Sequence, residues 1–245
     1  MPNPRFYHPE KLAPGATITL TPNAAVHASR ALRLQVGDQA LLFNGDGNDY
    51  LCELIVVKKT EVVAKIKAVE HVDSESPLKI SLAQAISSGD RMDYTIQKAV
   101  ELGVGAIQPI ASQRSVVKLT GERAEKRREH WQNVVISACE QSGRAVLPTV
   151  AAPLSLADWL ARPSSADLRI TLSPTAEHCL HELPPPQGEI CLLIGAEGGL
   201  TEHEIALAAS QGFVPVRLGN RILRTETAPI AAISAMQTLW GDFNR

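Results

Sequence analysis

Apolar and polar positions alternate in the first part of the chain, and this period of two predicts short β-strands. Four segments rich in β-branched residues carry the pattern, and turn-like sequences separate them. They are 16–20, 39–44, 50–58 and 61–70. Between the first two, apolar residues recur at helical spacing over 23–34, with Asn23 placed to cap that helix. Several short strands with one helix indicate a small β-barrel over residues 1–72.

The pattern changes after segment 71–77, which is polar, ends in proline and is typical of a linker. Segments that favour strands now alternate with segments that favour helices. The predicted strands are 78–86, 105–111, 168–173, 189–195 and 214–219, and the predicted helices are 93–103, 122–142, 156–161, 201–212 and 229–240. This alternation predicts an α/β domain over 73–245, with a parallel sheet that is covered on both faces.

Composition narrows the function only slightly. The hydrophobic fraction of 44% is typical of a globular protein, and the net charge of −2 does not by itself favour nucleic acid. No apolar run approaches the ~20 residues of a membrane span. The N-terminus lacks the apolar core of a signal peptide, so we expect a cytoplasmic protein. Cys52, Cys139, Cys179 and Cys191 fit no zinc spacing, which predicts buried thiols and no metal.

A glycine-rich loop follows the predicted strand that ends at Ile194. Its sequence, "GAEGG" (195–199), has the spacing G-x-x-G-G, and a capping box of Thr201 and Glu204 starts the next helix. This spacing matches neither the dinucleotide fingerprint nor the phosphate loop. Glu197 would repel a phosphate and suits a ligand with hydroxyls or positive charge. A tight β–α turn without a ligand is the alternative.

The segment "RLGNRILRTETA" (217–228) occupies the same position after the next strand. Loops that follow the carboxyl ends of neighbouring strands are the usual ligand sites of open parallel sheets. Leu218, Ile222 and Leu223 offer an apolar slot, with backbone groups at its rim. A slot of that kind suits a flat ring such as that of an adenosine.

These loops carry a resemblance to the SPOUT class of RNA methyltransferases. More narrowly, the chain resembles the bacterial 16S ribosomal RNA (uracil-N3)-methyltransferase family. The resemblance covers essentially the whole chain and includes "IQKAVELGV" (96–104), "ACEQSGR" (138–144) and the N-terminal "RFYH" and "RALRL". Ala196 and Asn220 stand where the family frequently has proline. Both departures should loosen a loop without removing a functional group.

The resemblance implies a PUA-like β-barrel followed by an α/β domain tied in a trefoil knot. It also implies a homodimer that binds S-adenosylmethionine, releases S-adenosylhomocysteine, and modifies 16S ribosomal RNA or the small ribosomal subunit without a metal. Members of this class bind the cofactor where three loops meet. The residues that this assigns to the cofactor are Leu172, Ser173, Ile194, Gly195, Glu197, Gly198, Gly199, Leu218, Gly219, Ile222, Leu223, Thr225, Thr227 and Ala228.

The chemistry of N3 methylation suggests roles for several charged residues. Negative charge develops on the uracil as N3 loses its proton, and we expect Arg224 to stabilise that charge. Glu226 or Glu140 would orient this arginine or accept the proton. The candidate RNA contacts are Arg5, Tyr7, Arg30, Arg33, Arg114, Lys118 and Arg144. Because N3 lies on the Watson–Crick edge, the target uridine must be unpaired or flipped.

Other interpretations of the same residues stay open. Arg224 and Glu226 could form only a surface ion pair, and Thr225 and Thr227 could cap the last helix. A related enzyme that methylates a ribose 2′-hydroxyl would use the "LRTETA" loop differently. A non-catalytic RNA-binding module could keep the fold without its chemistry.

Overall fold

The computed structural model describes residues 3–115 and 120–244. Two compact units divide the chain, and one segment joins the first unit from later in the sequence. The first unit contains Met1–Glu75 and Ile136–Leu147, and the second contains Ser76–Val135 and Pro148–Arg245. The division is discontinuous along the chain, because the segment 136–147 belongs to the first unit. The predicted domain boundary between residues 72 and 73 stays a prediction.

A five-stranded sheet forms the first unit. Its strands are β1 (Arg5–Tyr7), β2 (Thr17–Thr19), β3 (Gln39–Phe43), β4 (Asn48–Val57) and β5 (Val62–His71), in the order β1-β3-β4-β5-β2. β1 runs parallel to β3, and the other pairs are antiparallel. Phe6, Leu42, Leu54 and Ile66 belong to its buried core. The sequence did not predict β1, because three residues are too few to show an alternating pattern.

The predicted helix over 23–34 is replaced by two shorter segments. An α-helix, α1 (Pro22–Val26), passes into a turn of π-helix over His27–Ala31. Asn23 is not the cap: the Thr21 side chain accepts a hydrogen bond from the Ala24 amide at 3.4 Å. Proline is well placed at the first position of a helix, so Pro22 starts α1 and Thr21 becomes its N-cap.

Two arginines predicted to contact RNA lie inside the first unit instead. Arg5 Nη2 lies 2.6 Å from Asp49 Oδ1, and the exposed fraction of the Arg5 side chain is 9%. Arg144 donates from Nε and Nη2 to both carboxylate oxygens of Glu75, at 2.9 and 2.5 Å, and its side chain is 4% exposed. Both guanidinium groups are largely buried and already bonded to a carboxylate, so a contact of Arg5 or Arg144 with RNA stays a prediction that this geometry does not favour.

A seven-stranded parallel sheet forms the second unit, which confirms the predicted α/β architecture. Its strands are β6 (Ile80–Ala85), β7 (Val104–Ala111), β8 (Thr149–Val150), β9 (Leu154–Ser155), β10 (Leu168–Leu172), β11 (Ile190–Ile194) and β12 (Val214–Val216). The order is β12-β10-β11-β6-β7-β8, with β9 also paired to β7. The two-residue strands β8 and β9 were not predicted. The trefoil knot stays a prediction.

Five helices of the described residues accompany this sheet. They are α2 (Arg91–Glu101), α3 (Gly121–Ser142), α4 (Leu156–Leu160), α5 (Glu202–Ser210) and α6 (Thr227–Trp240). Every residue of β11 is buried, which explains the uninterrupted apolar sequence of a strand covered on both faces. Cys191 and Leu193 of β11 share a core cluster with Leu160 of α4 and Ala208 of α5. The predicted capping box of Thr201 and Glu204 is present at the start of α5.

We predict that Arg144→Ala destabilises the protein. The substitution leaves the Glu75 carboxylate without its bidentate partner, and Glu75 is partly screened by solvent. Loss of one partner of a largely buried pair should lower the free energy of unfolding by roughly 2–3 kcal/mol. Urea denaturation measures this, with the exposed Arg30→Ala as the control, which should change stability by less than about 0.5 kcal/mol. Equal effects of the two substitutions would contradict a structural role for Arg144.

Candidate ligand-binding site

A cavity of about 520 Å³ lies at the carboxyl ends of β10, β11 and β12 in the second unit. Because these strands are parallel, the loops that leave them emerge at the same edge of the sheet. The loops after Leu172, Ile194 and Val216 all contribute to its walls. The volume falls within the range of about 300–1,000 Å³ that is usual for small-molecule sites.

Most residues that the sequence assigned to a cofactor line this cavity. They are Leu172, Ser173, Ile194, Gly195, Glu197, Gly198, Gly199, Leu218, Gly219, Ile222, Leu223, Thr225 and Ala228. Arg224 and Glu226 line it as well, whereas Thr227 is exposed and is not part of the lining. The structure therefore brings the predicted loops together, and the contact of each residue with a ligand stays a prediction.

One wall of the cavity combines apolar side chains with free backbone donors. Leu218, Ile222 and Leu223 supply the apolar surface, and Ile222 as a whole residue is 87% exposed. Within the described part of the chain, the amides of Ile222 and Leu223 have no hydrogen-bond acceptor. Exposed apolar surface next to unused amide donors is typical of a site for a flat, partly polar ring.

Thr225 joins two of the loops by hydrogen bonds. Its hydroxyl donates to the Gly195 carbonyl at 2.8 Å and accepts from Gln84 Nε2 at 3.1 Å. The N-cap residue of α6 is Glu226, which makes no side-chain capping bond, so the alternative in which Thr225 and Thr227 cap this helix is wrong. Gln84, fully buried in β6, was missed by the sequence analysis. The only signal for it was an amide within a mostly apolar strand.

Glu197 is held in place from the loop between β6 and α2. The amide and the hydroxyl of Ser88 each donate to Glu197 Oε1 at 2.8 Å, and Arg91 Nη1 donates to it at 3.0 Å. Desolvation alone would raise the pKa of Glu197, but the bonds from Ser88 and Arg91 outweigh it and lower the pKa. The carboxylate is therefore charged at neutral pH. Neither Ser88 nor Arg91 was predicted, because their partner is distant in sequence.

Arg224 and Glu226 do not form the surface ion pair that the sequence left open. Arg224 is exposed and has no hydrogen bond or ion pair with any other described side chain. Glu226 Oε2 is buried without a hydrogen-bond partner among the described residues, and its nearest cation is Arg91 Nε, 3.9 Å away. The cavity is thus lined by two exposed guanidinium groups without a partner among the described side chains, those of Arg221 and Arg224, and by one unsatisfied carboxylate oxygen of Glu226.

Glu140, the alternative proton acceptor, belongs to the first unit. Its Oε1 accepts a hydrogen bond from the Tyr7 amide at 3.0 Å, and burial raises the pKa of its carboxyl group. The Tyr7 ring packs against Phe43 at 5.6 Å. The catalytic role of Glu140 stays a hypothesis, as does a contact between Tyr7 and RNA.

The remaining candidate RNA contacts differ in their surroundings. Arg30 and Arg33 are exposed and follow α1 in the first unit. Arg114 is exposed too, but its guanidinium donates to the Gly198 carbonyl at 2.7 Å. Lys118 lies outside the described residues. Arg30 and Arg33 therefore keep their predicted role as hypotheses, whereas Arg114 already has a partner within the second unit.

Two features are absent from residues 3–115 and 120–244. No three side chains among them are grouped so that they could hold a metal ion. No helix among them is both long enough and apolar enough to span a bilayer.

Comparison with known proteins agrees with this geometry. Residues 74–237 match an RNA methyltransferase domain family, and residues 20–67 match an RNA methyltransferase PUA domain family. A ribosomal RNA small subunit methyltransferase E of Buchnera aphidicola is 36% identical over 98% of both chains. The enzyme of that name from Bacillus subtilis is 33% identical, over 93% of this chain and 92% of its own.

A solved structure extends the comparison to three dimensions. It is a ribosomal RNA small subunit methyltransferase E from Neisseria gonorrhoeae, bound to S-adenosyl methionine. This chain is 47% identical to it, with a TM-score of 0.92 over 98% of this chain and 99% of the other.

We predict that Thr225→Val lowers the stability of the protein, although the valine side chain has nearly the same shape as that of threonine. The substitution removes the hydroxyl that satisfies both the Gly195 carbonyl and the buried Gln84 amide. Leaving such groups unpaired should lower the free energy of unfolding by about 1–3 kcal/mol. Chemical denaturation measures the change, and the exposed Thr227→Val is the matched control, expected within about 0.5 kcal/mol of wild type. If the two valine variants were equally stable, the bond between the loops would be unimportant.

Proposed function

We propose that this chain, which belongs to the ribosomal RNA small subunit methyltransferase E family, methylates N3 of a uridine in 16S ribosomal RNA with S-adenosylmethionine as the methyl donor. The observation that carries the proposal is the cavity where three strand-end loops meet, with Arg224 unpaired and a Glu226 oxygen unsatisfied at its wall. Family membership supports ribosomal RNA methylation in general. The choice of N3 rests on the resemblance together with these two side chains.

The residues present fit S-adenosylmethionine. Leu218, Ile222 and Leu223 suit the faces of an adenine ring, and the free amides of Ile222 and Leu223 suit its polar edge. Glu197 is ionised and suits ribose hydroxyls or a positive charge. When bound, S-adenosylmethionine supplies a methyl group on a sulfonium and leaves as S-adenosylhomocysteine.

Arg224 would provide electrostatic stabilisation of the acceptor base. As N3 loses its proton, negative charge spreads over N3 and the two neighbouring carbonyl oxygens of the uracil. Because Arg224 is exposed at the cavity wall and has no partner among the described side chains, its donors are free for those oxygens. Each charge-assisted bond is worth about 1.5–3 kcal/mol, or one to two decades in rate, if it strengthens in the transition state.

Glu226 is our choice for the group that accepts the N3 proton or orients the base. Its Oε2 is buried, has no hydrogen-bond partner among the described residues, and belongs to a residue that lines the cavity. A carboxylate in that state is ready to take a hydrogen bond or a proton from a substrate. Glu140 remains the alternative.

The RNA must present the uridine outside a base pair, because N3 lies on the Watson–Crick edge. We further propose that Arg30 and Arg33 contact the RNA backbone, since both are exposed. The homodimer, the trefoil knot and the cytoplasmic location are proposed from the resemblance alone.

The position of the methyl group distinguishes this function from its alternatives. Small subunits from cells that lack the protein would be incubated with the protein and S-adenosylmethionine, and the RNA digested to nucleosides for mass spectrometry. We expect 3-methyluridine. A methyl group on the ribose would favour the 2′-hydroxyl enzyme. No methylation, together with no calorimetric binding of S-adenosylmethionine, would favour the RNA-binding module.

We predict that Arg224→Ala lowers turnover far more than cofactor affinity. Its guanidinium is assigned to charge that develops on the base, so kcat should fall by about one to two decades. Single-turnover kinetics with saturating cofactor measures this, and calorimetry measures cofactor binding. Arg127→Ala, which removes the same charge from an exposed position of α3 outside the cavity, is the control and should lose much less activity. Large loss of cofactor affinity with intact turnover would contradict the role of Arg224.

A further inference from the structure

We propose that Arg114 is a positioning residue for the glycine-rich loop 195–200, and not a contact for RNA. The loop is the backbone wall of the cavity, and Arg114 approaches it from the turn that follows β7. The identity of the ligand whose binding Arg114 promotes rests on the proposed function. The contact between Arg114 and the loop does not.

Two backbone carbonyls of the loop accept hydrogen bonds from the same guanidinium nitrogen. Arg114 Nη1 donates to the Gly198 carbonyl at 2.7 Å and approaches the Leu200 carbonyl at 3.3 Å. Hydrogen bonds with a charged donor are stronger than neutral ones. They join the loop to a segment 84 residues earlier in the chain, which cannot be seen from the local sequence.

The glycine at position 198 makes this approach possible. A Cβ atom built on Gly198 would lie 3.2 Å from both Cβ and Cδ of Arg114. The φ angle of Gly198 is not in the left-handed region, so backbone conformation does not require glycine there. Glycine at this position favours the close approach of Arg114, because a Cβ there would force the Arg114 side chain to shift by a few tenths of an ångström.

The turn that carries Arg114 is itself fixed. The Gln113 amide donates to Oε1 of the buried Glu204 at 2.8 Å, and the other oxygen of Glu204 accepts from the Thr201 amide at 2.8 Å. The hydroxyls of Ser112 and Ser115 lie 2.9 Å apart, and the Ser115 amide donates to the Ser112 carbonyl. Arg114 therefore extends from a rigid base toward the loop.

A fixed arginine matters because the loop has few restraints of its own. Gly199 has a φ of +69°, and its amide donates to the Ala196 carbonyl at 2.8 Å to close the turn. Glycines give the free loop many conformations, and ordering it on binding would cost conformational entropy. Arg114 removes part of that cost before the ligand arrives, which should raise affinity without touching the reaction step.

The test uses Arg114→Ala, Arg114→Lys and the exposed Arg127→Ala of α3 as a matched control for charge. Calorimetry with S-adenosylmethionine should give a Kd about tenfold or more above wild type for the alanine variant. The lysine variant should be intermediate, since its ammonium keeps the charge and the donors but sits on a more flexible side chain, which loses more freedom for each hydrogen bond. The KM for the cofactor should rise while kcat at saturating cofactor stays unchanged. The control should match wild type, and thermal melting verifies that all variants fold.

Hydrogen exchange provides a readout without ligand. Because the Gly199 amide closes the loop, it should exchange faster in Arg114→Ala than in wild type or in Arg127→Ala. Unchanged exchange and cofactor affinity, with a shallower salt dependence of RNA binding, would assign Arg114 to a phosphate and overturn the proposal. If wild type itself bound no S-adenosylmethionine, the proposed function would fail, whereas the exchange comparison would still decide whether Arg114 holds the loop.

Discussion

The cavity depends on hydrogen bonds that hold irregular backbone at the carboxyl edge of a parallel sheet. The loop after β11 has no apolar core of its own, and side chains from three other segments hold it. Thr225 bonds the Gly195 carbonyl, Ser88 and Arg91 bond the Glu197 carboxylate, and Arg114 bonds the Gly198 carbonyl. Each of these contacts satisfies a polar group of the loop that would otherwise need another hydrogen-bond partner. The site is thus organised by its surroundings more than by the loop sequence.

Arg91 contributes a second kind of constraint, which is electrostatic. It bonds Glu197 at 3.0 Å and lies 3.9 Å from Glu226, so a single guanidinium faces two carboxylates. Glu197 receives hydrogen bonds and keeps a lowered pKa, whereas Oε2 of Glu226 receives none. Because Glu226 keeps an oxygen without a hydrogen-bond partner, it is the carboxylate at the cavity wall that can still bind a substrate.

The sequence was sufficient to predict those parts of the fold and of the cavity whose signal lies in neighbouring residues. The apolar run of β11, the capping box at Thr201 and the glycines of 195–199 identified the sheet and one wall of the cavity. It was not sufficient to predict roles that depend on a hydrogen-bond partner far away in the sequence. Gln84, Ser88 and Arg91 acquire their roles from residues more than a hundred positions away, and no local pattern marks them. The capping role of Thr225 was a reasonable local interpretation, which a tertiary hydrogen bond to Gly195 replaced.

The arginines show why a list of basic residues is a weak guide to RNA contacts. A guanidinium has five donors, and a backbone carbonyl or carboxylate inside the protein satisfies them as well as a phosphate does. Arg5 and Arg144 bond Asp49 and Glu75 inside the first unit, and Arg114 bonds a loop carbonyl. Arg224 differs from these three, because it is exposed at a cavity wall with no partner among the described side chains, a property that it shares with Arg221. Its unused donors, together with the resemblance, assign Arg224 to a substrate, because charge alone does not distinguish it from the other arginines.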